Sequence, residues 1–314
     1  CEPEAVAEAA REHERAVSQW TAALYLFERQ WGEVRSYAAA RGIQLMGDMP
    51  IYVGRDSADV WLNQALFQLD DEGVPTALAG VPPDAYSDTG QLWGNPLFDW
   101  DAMAERGWAW WAARCRRMLE HCDALRIDHF IGFDRYWSVP AGAEDAREGA
   151  WNAGPGQAFF DGLGKLLGSL PLIAEDLGDV AESTHQLRDA VGLPGMRVAV
   201  FGYDGNPTNM HHPTQYPEHA LAYSSTHDSP PLRGWIEEQT PEALERAGLA
   251  GEPVEVAHRL VDGTLQSASF WALLPLQDVL GLGLDARMNK PGTTEGNWTW
   301  RASPADLSQA QAHT

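Results

Sequence analysis

The chain predicts an α/β protein built on a parallel sheet, of the (β/α) barrel kind. Three observations carry that expectation. Apolar runs of four to six residues alternate with segments of helical periodicity, which favours parallel strands joined by helices. The irregular stretches follow strands rather than helices, so insertions gather on one face. Three of the runs also end in a carboxylate: Ala124-Leu125-Arg126-Ile127-Asp128, Pro171-Leu172-Ile173-Ala174-Glu175-Asp176 and the run from Ala220 to Asp228. Parallel strands bring their C-terminal ends to one edge, where such acids can converge. A doubly wound open sheet is the alternative, but no glycine-rich βα turn supports it.

Taken in order, residues 4–41 read as two helices, with Val6, Ala10, Leu24, Phe27, Trp31, Val34 and Tyr37 at helical spacing. Ile43 to Asp48 reads as a short strand. Residues 49–100, rich in Pro, Gly and Asp, read as a loop-rich insertion after it. A helix is expected over 101–121, a strand over 124–128 and a loop to about 154. Then come helix 156–168, strand 171–175, helix 180–191 and strand 196–201. A loop to 219 leads to strand 220–226, helices across 230–270 and a last run from Trp271 to Val279. That makes six strands, where a closed barrel has eight. The expectation is a partial catalytic barrel over 1–314 whose first two strands are missing. Exposed strand edges would then flank the runs at 43 and 271.

Composition narrows the chemistry. The 314 residues, 44% hydrophobic, suffice for a large core. No apolar run approaches the roughly 20 residues of a membrane span. The start lacks a basic-then-apolar leader pattern, and three cysteines make no disulfide framework, so the cytoplasm is the expected compartment. A net charge of −23 argues against nucleic acid, an anionic membrane and a strongly anionic substrate, leaving neutral substrates open. Fourteen tryptophans are many, and aromatic faces stack on the apolar faces of sugars. The group Trp93, Trp100, Trp108, Trp110 and Trp111 is too dense to be all core. His211-His212 is the nearest approach to a metal pair, and no phosphate loop, dinucleotide fingerprint or Gly-x-Ser-x-Gly elbow occurs. No metal and no cofactor are expected.

The strand-end acids are the chemistry carriers. Arg126 and Asp128 lie two apart on a strand and point the same way, so the guanidinium favours the ionised carboxylate. That suits a nucleophile, although a structural ion pair at a barrel mouth has the same look. Glu175 follows apolar or small residues, and apolar walls raise a carboxyl pKa toward general-acid use. Asp176 can serve as a cap or a solvated acid. Asp228 can hold substrate hydroxyls beside His227, or cap the helix containing Leu232 with Pro230 and Pro231 in its first turn. Converging carboxylates are what glycosidic-bond chemistry needs.

Together the motifs resemble the amylomaltase, or 4-α-glucanotransferase, family. They are Gly47-Asp48-Met49-Pro50-Ile51-Tyr52-Val53, Asp56-Ser57-Ala58-Asp59-Val60-Trp61, Gly80-Val81-Pro82-Pro83-Asp84 and Gly90-Gln91-Leu92-Trp93-Gly94-Asn95-Pro96. Leu125 to Phe130, Ala174 to Gly178, Thr226-His227-Asp228, and Arg287-Met288-Asn289 through Gly296-Asn297-Trp298 continue in family order. The resemblance implies a (β/α)8 barrel and a retaining mechanism. Asp128 matches the nucleophile, Glu175 the general acid/base and Asp228 the third carboxylate. Asp48, Trp93, Arg126 and His227 match sugar-binding residues near the scissile bond. Tyr86 and Gln91 lie in the loop over the acceptor side, and Asp204 and Asn289 match further contacts. The implied partners are α-1,4-glucans, maltooligosaccharides and glucose. An α-amylase-type hydrolase and an inactive glucan-binding fragment are the rival readings.

Overall fold

Burial on both faces decides which apolar runs become central strands. The computed structural model of the protein describes residues 2–84, 87–178 and 180–313, with side chains through residue 310. Among these, ten strands form: β1 Met46–Met49, β2 Ala77–Val81, β3 Gln91–Pro96, β4 Ala124–Ile127, β5 Arg135–Pro140, β6 Ala150–Ala153, β7 Leu172–Ala174, β8 Gly195–Val198, β9 Ala220–Tyr223 and β10 Trp271–Leu273. Every residue of β4, β7, β8 and β9 is buried. Covered parallel strands read as unbroken apolar runs for that reason. The chain divides into two compact units, Cys1–Leu193 and Pro194–Thr314.

In the first unit a parallel sheet runs in the order β1-β4-β7, with Asp48 opposite Arg126 and Arg126 opposite Ile173. The helix Ala109–Leu119 packs on β1 and β4. Its Trp111 is fully buried among Phe98, Phe133 and Phe159, with ring centroids 5.3 to 5.5 Å away. In the second unit β10-β9-β8 are again parallel, with Leu221 opposite both Met196 and Trp271. The six expected runs are therefore the six parallel strands, shorter than drawn from the sequence.

The structure corrects several expectations. The loop-rich stretch 49–100 also carries β2 and β3, and the expected loop to about 154 carries β5 and β6; the four form an antiparallel sheet ordered β3-β2-β5-β6. The helix over 101–121 breaks at Gly107 and Trp108, both left-handed (φ 63° and 62°), into Trp100–Glu105 and Ala109–Leu119. The Trp108 ring lies where a side chain on Gly162 would stand, 2.0 Å from its Cβ position, so the break is fixed by packing. Of the five clustered tryptophans, Trp108 and Trp111 are buried and Trp100 and Trp110 pack on the same core. Asp176 is neither a cap nor solvated; its buried carboxylate pairs with Arg188. The long helix Glu14–Ala39 buries little: Trp20 is 72% exposed and Leu24 58%. Among the described residues no helix is long and apolar enough to cross a membrane.

Candidate active site

The C-terminal ends of β1, β4 and β7 place four of the expected residues side by side. Asp48 lies in β1, Arg126 in β4, and Asp128 and Glu175 one residue beyond β4 and β7. Arg126 is 7% exposed, and burying a guanidinium requires partners on its donors. It has them: Nε and Nη2 donate to the two Asp48 carboxylate oxygens at 2.9 and 2.8 Å, and Nη2 also donates to Asp128 Oδ1 at 2.8 Å. These carboxylates keep the arginine protonated against the opposing effect of burial. Asp128 is thus held by a fixed cation while its side chain stays 43% exposed. A tethered but accessible carboxylate is what a nucleophile requires.

Glu175 sits in the opposite electrostatic setting. It is half-buried, and its Oε2 accepts from the His129 backbone N–H at 2.7 Å and its Oε1 from Leu177 N–H at 3.2 Å. Desolvation and the negative charge of Asp128 push its pKa up to about 7, while Arg126 and the two N–H donors pull the other way. Two neighbouring carboxyls separated in proton affinity are the sign of an acid and an anionic partner. Trp93, on β3, packs against His129, the residue that follows Asp128. Its ring is 37% exposed, donates from Nε1 to Gln91 Oε1 at 3.1 Å, and meets the His129 ring edge-on at 4.8 Å. Of the tryptophan cluster only Trp93 offers open surface suited to stacking.

The second unit gathers His227, Asp228 and Asn289. Asp228 lies five residues beyond β9, so the carboxylate is not on the strand but in the turn that leaves it. Asn289 Nδ2 donates to Asp228 Oδ1 at 2.6 Å, and His227 Nε2 lies 3.2 Å from Oδ2. The Arg287 guanidinium donates to the Asp228 carbonyl at 2.7 Å. Asp228 does not cap the following helix: Leu232 N–H donates instead to Asp278 Oδ1 at 2.8 Å. Asp278 is fully buried and also accepts from Ser224 and Ser225 hydroxyls, each at 2.6 Å. Asp204 stands apart from these residues, its carboxylate taken up by Asn206 and Asn209 in its own turn. Tyr86 lies outside the described residues.

Sequence reasoning missed Arg287 as a support and Asp278 altogether. Arg287 could have been found, two residues before Asn289 in the quoted motif. Asp278 carries no local signal, because its partners lie 46 to 54 residues away. Among the described residues no cluster of His, Cys, Asp and Glu has the arrangement of a metal site. His211 instead accepts from Val198 N–H, and His212 caps a short turn at Thr214.

Comparisons with known proteins agree on one family. The family described as 4-alpha-glucanotransferase, glycoside hydrolase family 77, matches residues 1–307. A 4-alpha-glucanotransferase of Thermus thermophilus is 43% identical over 305 residues, covering 93% of this chain and 60% of that one. A chloroplastic/amyloplastic 4-alpha-glucanotransferase of Arabidopsis thaliana is 44% identical over 281 residues, covering 88% and 49% respectively. The chain therefore spans about half to three fifths of the length of these relatives. The structure of an amylomaltase from Streptococcus agalactiae in complex with acarbose superposes with a TM-score of 0.94. It is 38% identical and covers 99% of this chain and 64% of that one. The fold is of the TIM-barrel type expected from the sequence.

Proposed function

The chain belongs to the 4-alpha-glucanotransferase family, and from that premise we propose that it transfers α-1,4-glucan segments by a retaining double displacement. Asp128 attacks the anomeric carbon while Glu175 gives its proton to the departing glycosidic oxygen. The released glucan leaves with a free 4-hydroxyl, and the donor remains as a glycosyl ester on Asp128. An acceptor glucan or glucose then attacks the same carbon through its 4-hydroxyl, whose proton passes to Glu175 as the ester bond breaks. Asp228 is the third carboxylate, stabilising the transition state. Asp48, Trp93, Arg126 and His227 bind sugar near the scissile bond, and Tyr86, Gln91, Asp204 and Asn289 bind the chain further out. The cytoplasm is the proposed compartment.

One observation supports this reading most: a carboxyl poised near pH 7 beside a carboxylate held by a buried arginine. Proton donor and nucleophile are thereby distinguished at neutral pH. The retaining geometry requires the two carboxyl groups to stand about 5–5.5 Å apart. Transfer rather than hydrolysis then depends on holding the acceptor and excluding water.

The test is incubation with maltotriose. Glucose together with oligosaccharides longer than the donor is the expected outcome. Glucose and maltose alone would make water the acceptor and the chain a hydrolase. Amylose binding without turnover would leave a glucan-binding fragment. Asp128→Asn is expected to retain glucan binding and lose covalent adduct formation, and a glycosyl adduct found on Glu175 would reverse the assignment.

A further inference from the structure

His129 is one of three non-glycine residues among those described with a left-handed backbone, at φ 56°. It follows the proposed nucleophile and touches the proposed acid. Histidine, with asparagine and aspartate, is among the side chains that visit this region at tolerable cost, whereas β-branched residues there are outliers. Strain of this kind persists only where its surroundings over-determine it.

The surroundings here do so. Asp128 N–H donates to Met49 O at 3.0 Å, Glu175 N–H to Ile127 O at 3.0 Å, and Phe130 N–H to Glu175 O at 3.1 Å. The main chain on both sides of His129 is thus stapled to β1 and to the end of β7. Between these staples the His129 N–H turns inward and reaches Glu175 Oε2 at 2.7 Å. The ring is locked as well. It meets Trp93 edge-on at 4.8 Å and Tyr52 at 6.4 Å, and Gly132 clears the space on another side, its Cβ position lying 3.4 Å from the imidazole Cδ2. The imidazole Nε2 is buried without a hydrogen-bond partner, and burial lowers the ring's pKa to about 4, so the ring is neutral. A neutral, unbonded ring exerts little direct electrostatic pull on Glu175. What bears on the carboxyl is the backbone N–H, not the ring.

We propose that His129 is a positioning residue for Glu175: its left-handed backbone, fixed by the main-chain bonds on either side, aims its own N–H at the carboxyl group. The inference rests on the acid/base role given to Glu175 above. The charged and titratable groups facing Glu175 are Asp128 and Arg126 on the β4 side, with Asp48 beyond the arginine on β1. The adjacent Asp176, at the end of β7, is paired with Arg188 and lies beside His185. None of these is altered by substitution at position 129.

The test compares residues that differ in tolerance of a left-handed backbone. Carbon-13 titration of the Glu175 carboxyl in the full chain reads the contact without requiring turnover. His129→Gly and His129→Asn keep the turn and are expected to titrate with the wild type near pH 7. His129→Val forces the peptide plane round, loosens the N–H contact with the ionised form, and is expected to raise the titration by about half a pH unit or more. A role in packing alone predicts the reverse order, since valine fills space that glycine leaves empty. Equal titration in His129→Val and His129→Asn would overturn the proposal. Where circular dichroism shows His129→Val unfolded, His129→Ala takes its place against His129→Asn with the same two outcomes. The alkaline limb of kcat/KM for transfer should move with the carboxyl titration. A wild-type chain without transfer activity would count against the proposed function and leave the titration order to decide the present inference.

Discussion

At the scale of single residues, the decisive contrast is between two carboxyls given opposite environments. Asp128 shares a buried guanidinium with Asp48, while Glu175 is desolvated and faces the charge of Asp128. The raised pKa carries a stability consequence with a definite sign. In the unfolded chain Glu175 ionises near its ordinary value of about 4.3, but in the folded chain only near 7. Between those values the unfolded state binds fewer protons, so the contribution of Glu175 to stability is lost as pH rises. Glu175→Gln should therefore gain thermal stability over the wild type at pH 8 but not at pH 4, read as the difference in Tm. An equal difference at both values would show that the carboxyl titrates normally. Trp93→Ala should weaken maltooligosaccharide binding by about 1 kcal/mol or more, measured calorimetrically. Unchanged affinity would make Trp93 part of the aromatic core alone. Of these residues, Asp128 and Glu175 were legible because each closes an apolar strand. The left-handed conformation of His129 was not, since it is imposed by bonds to Met49 and Glu175 that no local pattern encodes.

At the scale of elements, short strands deliver acids and the segments after them hold those acids in place. β9 ends at Tyr223, and the turn beyond it is tied down by Asp278, which accepts from Ser224, Ser225 and Leu232. The segment following Asp278 carries Arg287 and Asn289, which in turn hold the Asp228 backbone and carboxylate. Asp278→Ala would leave three donors without their acceptor, at a cost of roughly 3 kcal/mol or more. Urea unfolding should show that loss, and an unchanged midpoint would mean that other acceptors replace the carboxylate. Glucan binding should weaken in the same variant. The runs that became β4, β7, β8 and β9 were readable because both faces are covered, so nearly every residue is apolar. The sheet β3-β2-β5-β6 was not, because its strands contain Pro96 and Pro140, Gly80 and Gly94, and their pairing reaches 63 residues along the chain, from Ala77 to Pro140.

At the scale of the whole molecule, a net charge of −23 sits beside a chemistry proposed for a neutral sugar. A neutral substrate is not steered by that field. Raising salt from roughly 0.05 to roughly 0.5 M should change kcat/KM for maltotriose by less than about twofold. A steep dependence would point to a charged substrate instead. The residue types, their order and their place at the ends of apolar runs were enough to settle the family and the parallel α/β class, because both are written in local periodicity and short motifs. Tertiary structure alone decided which tryptophans are core, that Asp176 is buried with Arg188, and that Glu175 holds its proton to about pH 7. Those outcomes depend on what stands across space from each group, and desolvation and Coulomb forces respond to that distance, not to separation along the chain.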